Sequence, residues 1–448
     1  MHNKLKKYSV MNTNEKYTLA DLVIEHALKN GAEQVSVTIY DNRSTDIEIR
    51  DQKIDSLKES NRSNLSIDIY VDKKYSAHST NRMKKEELFR FIDEAIAATR
   101  YLAEDEFRTL PDPALYYKGG GPDLNIFDPK VDSIDAKTKI ELANQVLNEA
   151  YKKDERIISV SSYYSDSITN WVQLTSNGFR GDSGNSNVSL TVEVSVKSET
   201  GRPSDYWYEN SLFFDKLPVT GIGKRALERT LKKIDPKKIV SGKYPVIIEN
   251  RVSRNIAGPI YNALQGSSLY QKQSFLIGKE NKSIASPLLT VYDDPFIQSG
   301  AGSRLFDNEG LAMNKRAIIE KGVLKSYYID TYYGKKLGTK PTSGSSSNGV
   351  FNGGARSLDE MIKTLKKGVL ITGFIGGNCN GSTGDFSYGF EGYLIENGKI
   401  VHPVNEMNIS GNMTQFWFNL VELGNDVREN DSIRIPSLMF KDVDLSGI

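Results

Sequence analysis

Residues 244–268, YPVIIENRVSRNIAGPIYNALQGSS, decide how this chain is read. Pro245-Val246-Ile247-Ile248 is a short apolar run of the kind that forms a buried strand. Ile256, Ile260 and Leu264 then recur at the spacing of one helical face. Asn250 is placed to cap that helix by accepting a first-turn amide hydrogen, and Gly266 to end it. Pro259 falls inside the pattern, where its missing N–H should bend the helix. A strand feeding a helix in mid-chain is a scaffold on which enzymes mount catalytic groups. Here the exposed face offers Asn255, Tyr261, Asn262 and Gln265, and no His, Cys, Asp or Glu occurs between Arg251 and Leu276. The scaffold looks like that of an enzyme, but the helix carries no catalytic equipment.

Upstream, Thr18 can cap a helix from Leu19 to Asn30 that Gly31 ends. Three alternating runs follow, Val35-Val37-Ile39, Ile47-Ile49 and Leu65-Ile67-Ile69, each reading as a half-buried antiparallel strand. A second helix, Lys84 to Leu102, completes an α+β module over residues 1–104. Four prolines and three glycines from 105 to 134 (Pro111, Pro113, Pro122, Pro129 and the run Gly119-Gly120-Gly121) signal a linker or long surface loop. A middle α+β domain, 135–240, opens with a helix, contains the period-two run Val188-Leu190-Val192-Val194-Val196, and closes with a helix from Ile222 to Ile234. The remainder, 241–448, is expected to be rich in strands, in a mixed or antiparallel sheet. Asn397-Gly398 marks a hairpin, and Leu358, Met361, Ile362 and Leu365 mark one more helix. The fold class is α+β throughout.

Composition narrows the function. With 448 residues, 38% hydrophobic and 26% charged, the chain fits a soluble globular protein with two or three cores. No apolar run approaches the ~20 residues that span a bilayer, and the basic start MHNKLKKYSVMNTNEKY lacks the apolar segment of a secretory signal. Met1 and Met11 are equally available as the start. A single cysteine, Cys379, leaves no pair for a disulfide and fits a reducing, cytoplasmic setting. Net charge of +1 supplies no field to draw nucleic acid. The four histidines, His2, His26, His78 and His402, are too scattered to form a zinc pair on one helix. Asp293-Asp294 and Asp307–Glu309 read as turn carboxylates before metal ligands. Cys379 with His402 is the one candidate nucleophile pair, against a plainer reading as a loop residue and a surface histidine. Residues 221–226, GIGKRA, match GxGxxA but lack a preceding strand, so they are not a dinucleotide site. The basic residues of the same helix read as a solvated face. Ser382, Thr383, Gly384 and Asp385 are small and polar beside a strand, equally suited to a plain turn or to leaving amides free for an extended peptide.

The segment from Gly376 to Val427, GGNCNGSTGDFSYGFEGYLIENGKIVHPVNEMNISGNMTQFWFNLVELGNDV, resembles the C-terminal signature of the TldD/PmbA family, proteins also labelled modulators of DNA gyrase. PVIIEN, Ser274–Glu280, Leu289–Pro295 and Asp307-Asn308-Glu309-Gly310 fit the same family, and the resemblance runs from about Leu19 onward. It implies one of two branches. TldD-type subunits carry HExxxH on the helix after the PVIIEN-like strand, with a cysteine ligand near the C-terminus. PmbA (TldE) subunits lack these and pair with a TldD subunit to form a zinc-dependent peptidase. Here the histidine positions fall on Ala257 and Asn262, and the glutamate position on Gly258, so the chain resembles the PmbA/TldE branch.

The resemblance therefore implies a catalytically inactive partner in a metallopeptidase complex, with no catalytic or metal residue of its own and zinc held by a TldD-type subunit. Unfolded peptides would be the substrates. The assembly would be a heterodimer or larger, or a homodimer when the chain is isolated. The alternative is a stand-alone peptide-binding or regulatory protein linked to DNA gyrase modulation.

Overall fold

The computed structural model describes residues 11–199 and 201–447; Met1 and His2 lie outside them. The first half is built twice over one plan. Helix α1 (Thr13–Lys29), strands β1 (Gln34–Arg50), β2 (Lys53–Val71) and β3 (Lys74–Thr80), and helix α2 (Lys85–Thr99) are followed by α3 (Ala136–Asn148), β4 (Ile157–Thr175), β5 (Arg180–Val196), β6 (Ser204–Ser211) and α4 (Ile222–Leu231). The six strands form one sheet in the order β3-β2-β1-β4-β5-β6, with β1 and β4 antiparallel at the centre. The two αβββα units are thus related by a pseudo-two-fold axis through the β1–β4 seam.

The seam explains a sequence pattern that misled. Val35–Ile39 and Ile47–Ile49 are one continuous strand and not two. The apolar alternation lapses between them because the inward positions Asp41 and Thr45 receive buried lysines. Lys16 ion-pairs with Asp41 at 2.7 Å and donates to the Asn170 carbonyl of β4. Lys139 ion-pairs with Asp166 at 2.6 Å and donates to Thr45 of β1. Each lysine is the fourth residue of its helix, and each helix is capped at its start by a side-chain oxygen, from Asn12 or Asp135. Each thereby ties its own unit to the other's central strand. The first helix starts at Thr13 and not after Thr18, because Asn12 and Glu15 form a reciprocal capping box.

Residues 105–134, expected as a linker, form a strap with short 3-10 turns at Pro113–Leu115 and Pro129–Ser133. Its side chains and backbone engage the C-terminal half: Tyr117 N donates to Gly310 O, and Ala312 N to Leu115 O. The Arg108 guanidinium lies between the rings of Tyr75 and Tyr332, 4.5 and 3.5 Å from their centroids.

From residue 242 the chain runs through β7 (Gly242–Ile248), α5 (Asn250–Ala263) and the short α6 (Gly266–Tyr270). A small sheet of β8 (Val291–Asp293), β9 (Arg316–Glu320), β10 (Val323–Leu324) and β11 (Gly349–Phe351) follows, with α7 (Thr331–Leu337) inserted before β11 and residues 433–434 adding a fifth strand parallel to β11. After α8 (Leu358–Thr364) come the long strands β12 (Lys367–Cys379), β13 (Asp385–Glu396) and β14 (Lys399–Asn412). The helical turn α9 (Met413–Phe416), β15 (Leu420–Leu423), β16 (Ile433–Arg434) and β17 (Leu438–Ser446) complete the chain. The large sheet runs β14-β13-β12-β7-β17-β15, and β14 also pairs with β17 through Asn408–Ser410, so the sheet closes on itself. Its interior is filled by Val246, Ile248, Val369, Ile371, Phe390 and Phe440, against which α5 packs Ile256 and Ile260. The Asn397-Gly398 hairpin joins β13 to β14 with both residues at positive φ, as a type I′ turn needs.

Glu309 sits where the strap, the first sheet and α7 meet. Its Oε2 accepts from the Thr331 amide and hydroxyl at 2.9 and 3.0 Å. Burial, with Asp307 and Asp330 nearby, raises its pKa to about 7 from the usual 4.5. The unfolded chain releases this proton near 4.5 and the folded chain near 7, so folded protein binds more protons between them. Stability from this group is therefore fully present below about 4.5 and is lost as pH rises to 7. Glu309→Gln is expected to be more stable than the parent at pH 8 by about 3 kcal/mol, a difference that vanishes by pH 4.5; paired thermal melts at the two pH values check this. At the seam, Asp166→Asn strands the Lys139 ammonium and should cost about 3–5 kcal/mol in urea unfolding. The exposed His26–Asp93 pair provides the control, with Asp93→Asn costing under about 1 kcal/mol.

Candidate functional site

Helix α5 is set by the strand before it. β7 pairs with β12 through Val246–Ile248 and with β17 on its other side, then the chain turns at Glu249 into the helix. Asn250 is not the cap. Glu249 holds that position, with no side-chain cap bond. Its carboxylate is drawn instead to Arg229 of α4, with contacts of 2.6 and 2.8 Å. The Asn250 amide donates to the Asp426 carbonyl, and its backbone N–H to Ser437 Oγ. Pro259 lies inside the helix as expected. Gly266 does not stop it: the helix is capped at Leu264, and Gly266 opens α6. Tyr333 and Ile329 press so closely on Gly266 that no side chain fits there.

A charge cluster anchors the start of α5. Asp205 of β6, 2% exposed at its side chain, lies 3.1 Å from Lys233, 3.1 Å from Arg251 and 3.2 Å from Arg229. Burial opposes its charge, but Lys233, Arg251 and Arg229 outweigh that and hold its carboxyl below the usual range. Lys233 also reaches Glu391 of β13. The basic face of α4 is thus not simply solvated, since Arg229 and Lys233 turn inward. At the start of that helix the Gly221 and Gly223 amides donate to Glu149, which leaves no phosphate cradle in the GIGKRA segment.

The positions that match the zinc motif do not converge. Ala257 is 1% exposed in the core, whereas Asn262 faces solvent. A Cβ at Gly258 would meet nothing within 4 Å, so that position is open but empty of chemistry. A methyl, a hydrogen and an amide are not zinc ligands of useful strength, and these residues do not fit the metal. No group of three His, Cys, Asp or Glu side chains converges elsewhere among the described residues.

Other candidates resolve into structural roles. Cys379 pairs with Phe386 and His402 with Leu394 across β13, positions about 27 Å apart along that strand. Burial and Asp385 push the Cys379 thiol up, away from the reactive thiolate. Asp293 is fully buried and accepts from Ser347 N and Oγ, while Asp294 pairs with Lys315 at 2.7 Å. Asp307 accepts from the Glu309 and Leu311 amides.

Ser382, Thr383 and Asp385 are exposed and Gly384 is buried, in the turn between β12 and β13. Their amides are not free. Ser382 N and Thr383 N donate to Asn380 Oδ1, Gly384 N to Asn380 O, and Asp385 N to Thr383 Oγ1. The open edge lies beside the turn. Beyond Ile371, β12 is paired only with β13, because β7 has ended and become α5. Residues 375–378 are exposed, and a bulge with Gly376 and Gly377 at positive φ breaks the ladder. Such a bulge guards an edge against indiscriminate pairing. Composition gives no hint of this edge; what creates it is the shortness of β7 against the length of β12.

Restoring the motif's residue types should not by itself make a metal site, because position 257 is buried in the core and has no room for an imidazole. The Ala257→His/Gly258→Glu/Asn262→His variant is expected to carry no stoichiometric zinc after dialysis, by elemental analysis of protein whose fold is verified by circular dichroism. One zinc per chain would show that the core yields to admit a histidine at 257.

Three family domain profiles match the chain in sequence: PmbA/TldA metallopeptidase domain 1 over residues 35–99, the central domain over 129–234, and the C-terminal domain over 241–447. The metalloprotease PmbA of Escherichia coli O157:H7 is 29% identical over 391 residues, covering 86% of this chain and 85% of that protein. The PmbA homologue of Haemophilus influenzae is 29% identical over 433 residues, covering 95% and 94%. A crystal structure from Bacteroides thetaiotaomicron, provisionally described as a modulator of DNA gyrase, superposes with a TM-score of 0.96 at 48% identity, covering 98% of this chain and 100% of that one. TldE from Thermococcus kodakarensis shares the fold, with a TM-score of 0.84 at 21% identity over 96% of this chain and 100% of that one. In each of its three parts, and over most of its length, the chain belongs to the PmbA/TldD metallopeptidase family.

Proposed function

We propose that this chain is the zinc-free subunit of a cytoplasmic TldD/TldE-type peptidase that acts on unfolded peptides. The observation that carries the reading is α5. The scaffold helix is kept and firmly anchored, yet its three motif positions hold Ala257, Gly258 and Asn262, none of them a zinc ligand. A TldD-type partner brings the zinc and the catalytic groups. This chain contributes a wall of the groove, in which an extended peptide adds to the one-sided edge of β12 near Gly373 and Ile375. Ser382, Thr383, Gly384 and Asp385 form the rim of that groove. Docking of the two subunits narrows the entrance, so that extended chains enter and folded proteins do not. Isolated, the chain forms a homodimer.

A second reading, a stand-alone peptide-binding regulator, is favoured by the description of the Bacteroides relative as a modulator of DNA gyrase. The deciding experiment measures zinc content and casein cleavage for the chain alone and mixed with its HExxxH-bearing relative. Metal and cleavage only in the mixture are expected. Both in the chain alone would overturn the proposal, and a mixture with neither complex nor cleavage would leave the regulator.

A further inference from the structure

The outer edge of β5 is closed from Ser186 onward and open before it. From Val188 it pairs with β6. At Ser186 the strap takes over, the Ser186 amide donating to the Ile126 carbonyl and the Asp128 amide to Ser186 Oγ. Backbone groups alternate in direction along an antiparallel strand, so those of Asp182 and Gly184 point outward like those of Ser186 and Val188. Among the described residues no group bonds to that edge at Asp182 or Gly184, and both line a cleft of about 430 Å³ between β5 and strap residues 122–127. The two sides of the open edge differ in chemistry. Asp182 sits opposite Val172, on the face packed against α1, where it accepts from the Tyr17 hydroxyl at 2.8 Å. Ser183 sits opposite Trp171, on the face where the rings of Trp171 and Phe306 meet edge to face at 5.3 Å. Leu305 and Phe306 wall the cleft there, and Asp123 of the strap also lines it. Asp123 and Asp182 are both exposed and neither joins an ion pair among the described residues. Arg180, two residues before Asp182 on the same face, is taken up by Asp21 at 3.0 Å.

We infer that this cleft docks an extended peptide segment in which basic and apolar residues alternate. The segment's backbone adds to β5 at Asp182–Gly184. Its basic side chains meet Asp182 and Asp123, and its apolar ones lie on Leu305 and Phe306. In strand addition the main-chain bonds give affinity, while the different surroundings of successive side chains give specificity. The open edge, Asp182 to Gly184, runs for about 10 Å, so the site reads a short stretch of chain. It is a different edge from that of β12 and needs neither zinc nor a partner subunit, so it does not depend on the peptidase reading.

Fluorescence anisotropy of a labelled acetyl-Val-Lys-Val-Lys-Val-amide, titrated with the full chain at low salt, tests this. Saturable binding at one per chain is expected, about tenfold tighter than that of the counterpart with Glu in place of Lys. An added strand is paired along one edge only. Methylating the first, third and fifth peptide nitrogens should therefore abolish binding while methylating the second and fourth spares it, or the reverse. Asp123→Asn/Asp182→Asn keeps the size of both side chains and an acceptor for Tyr17, and is expected to erase the preference for Lys over Glu. No saturable binding, equal affinity for the two peptides, or equal tolerance of both methylation patterns would overturn the inference. So would a preference that the folded double variant keeps in full, since the peptide would then be bound at another edge.

Discussion

The ion cluster around Asp205 is the contact on which the rest of the arrangement hangs. It draws Asp205 from β6, Arg229 and Lys233 from α4, Glu249 and Arg251 from the β7–α5 junction, and Glu391 from β13. Three positive and three negative groups balance there, mostly out of water. Transferring such charges from water is costly, and only mutual pairing with good geometry offsets it. The consequence is positional: these groups are satisfied together in one arrangement of the first sheet against the second. The direction in which α5 leaves β7 is therefore fixed by residues from both halves of the molecule. Glu249 shows the exchange at a single residue, since it gives up a local capping bond to hold a guanidinium from another layer.

That fixed direction shapes what the helix can present. Its buried side is committed to the barrel interior through Ile256, Ala257 and Ile260, and its open side carries Arg254, Asn255 and Asn262. Ending β7 at Ile248 also exposes the far half of β12. One event in the chain, a strand giving way to a helix, thus produces both the unequipped helix and the one-sided strand edge beside it.

Much of this was legible in the residues. The strand–helix stretch at 244–264, the helices after Asp135 and Ser357 and the hairpin at Asn397-Gly398 all follow from periodicity, turn chemistry and residue type. The losses have particular causes. The 17-residue β1 was broken in two because Asp41 and Thr45 interrupt the apolar alternation, and nothing local says that lysines two helices apart will fill the gap. The strap at 105–134 looked like a linker because proline and glycine signal irregular backbone, not whether that backbone is packed. Asn250 looked like a cap because the competing bonds, to Asp426 and Ser437, come from about 180 residues away. At the site, the turn at Ser382–Asp385 was found from composition, while the neighbouring open edge was not, since a free edge is a property of what fails to pair.

The doubled plan of the first half has a bearing on how the chain is made. β1 is complete at Arg50, but its central neighbour β4 does not begin until Ile157. At a synthesis rate of about 5–20 residues per second, one long side of a 17-residue strand waits roughly 5–20 s for its partner. A strand of uninterrupted valine and isoleucine in that state would invite pairing between nascent chains. The charged and hydroxylated centre that breaks the pattern of β1 doubles as a guard during that interval. The lysine from α1 is already made to meet Asp41, whereas Thr45 must wait for the lysine of the second unit.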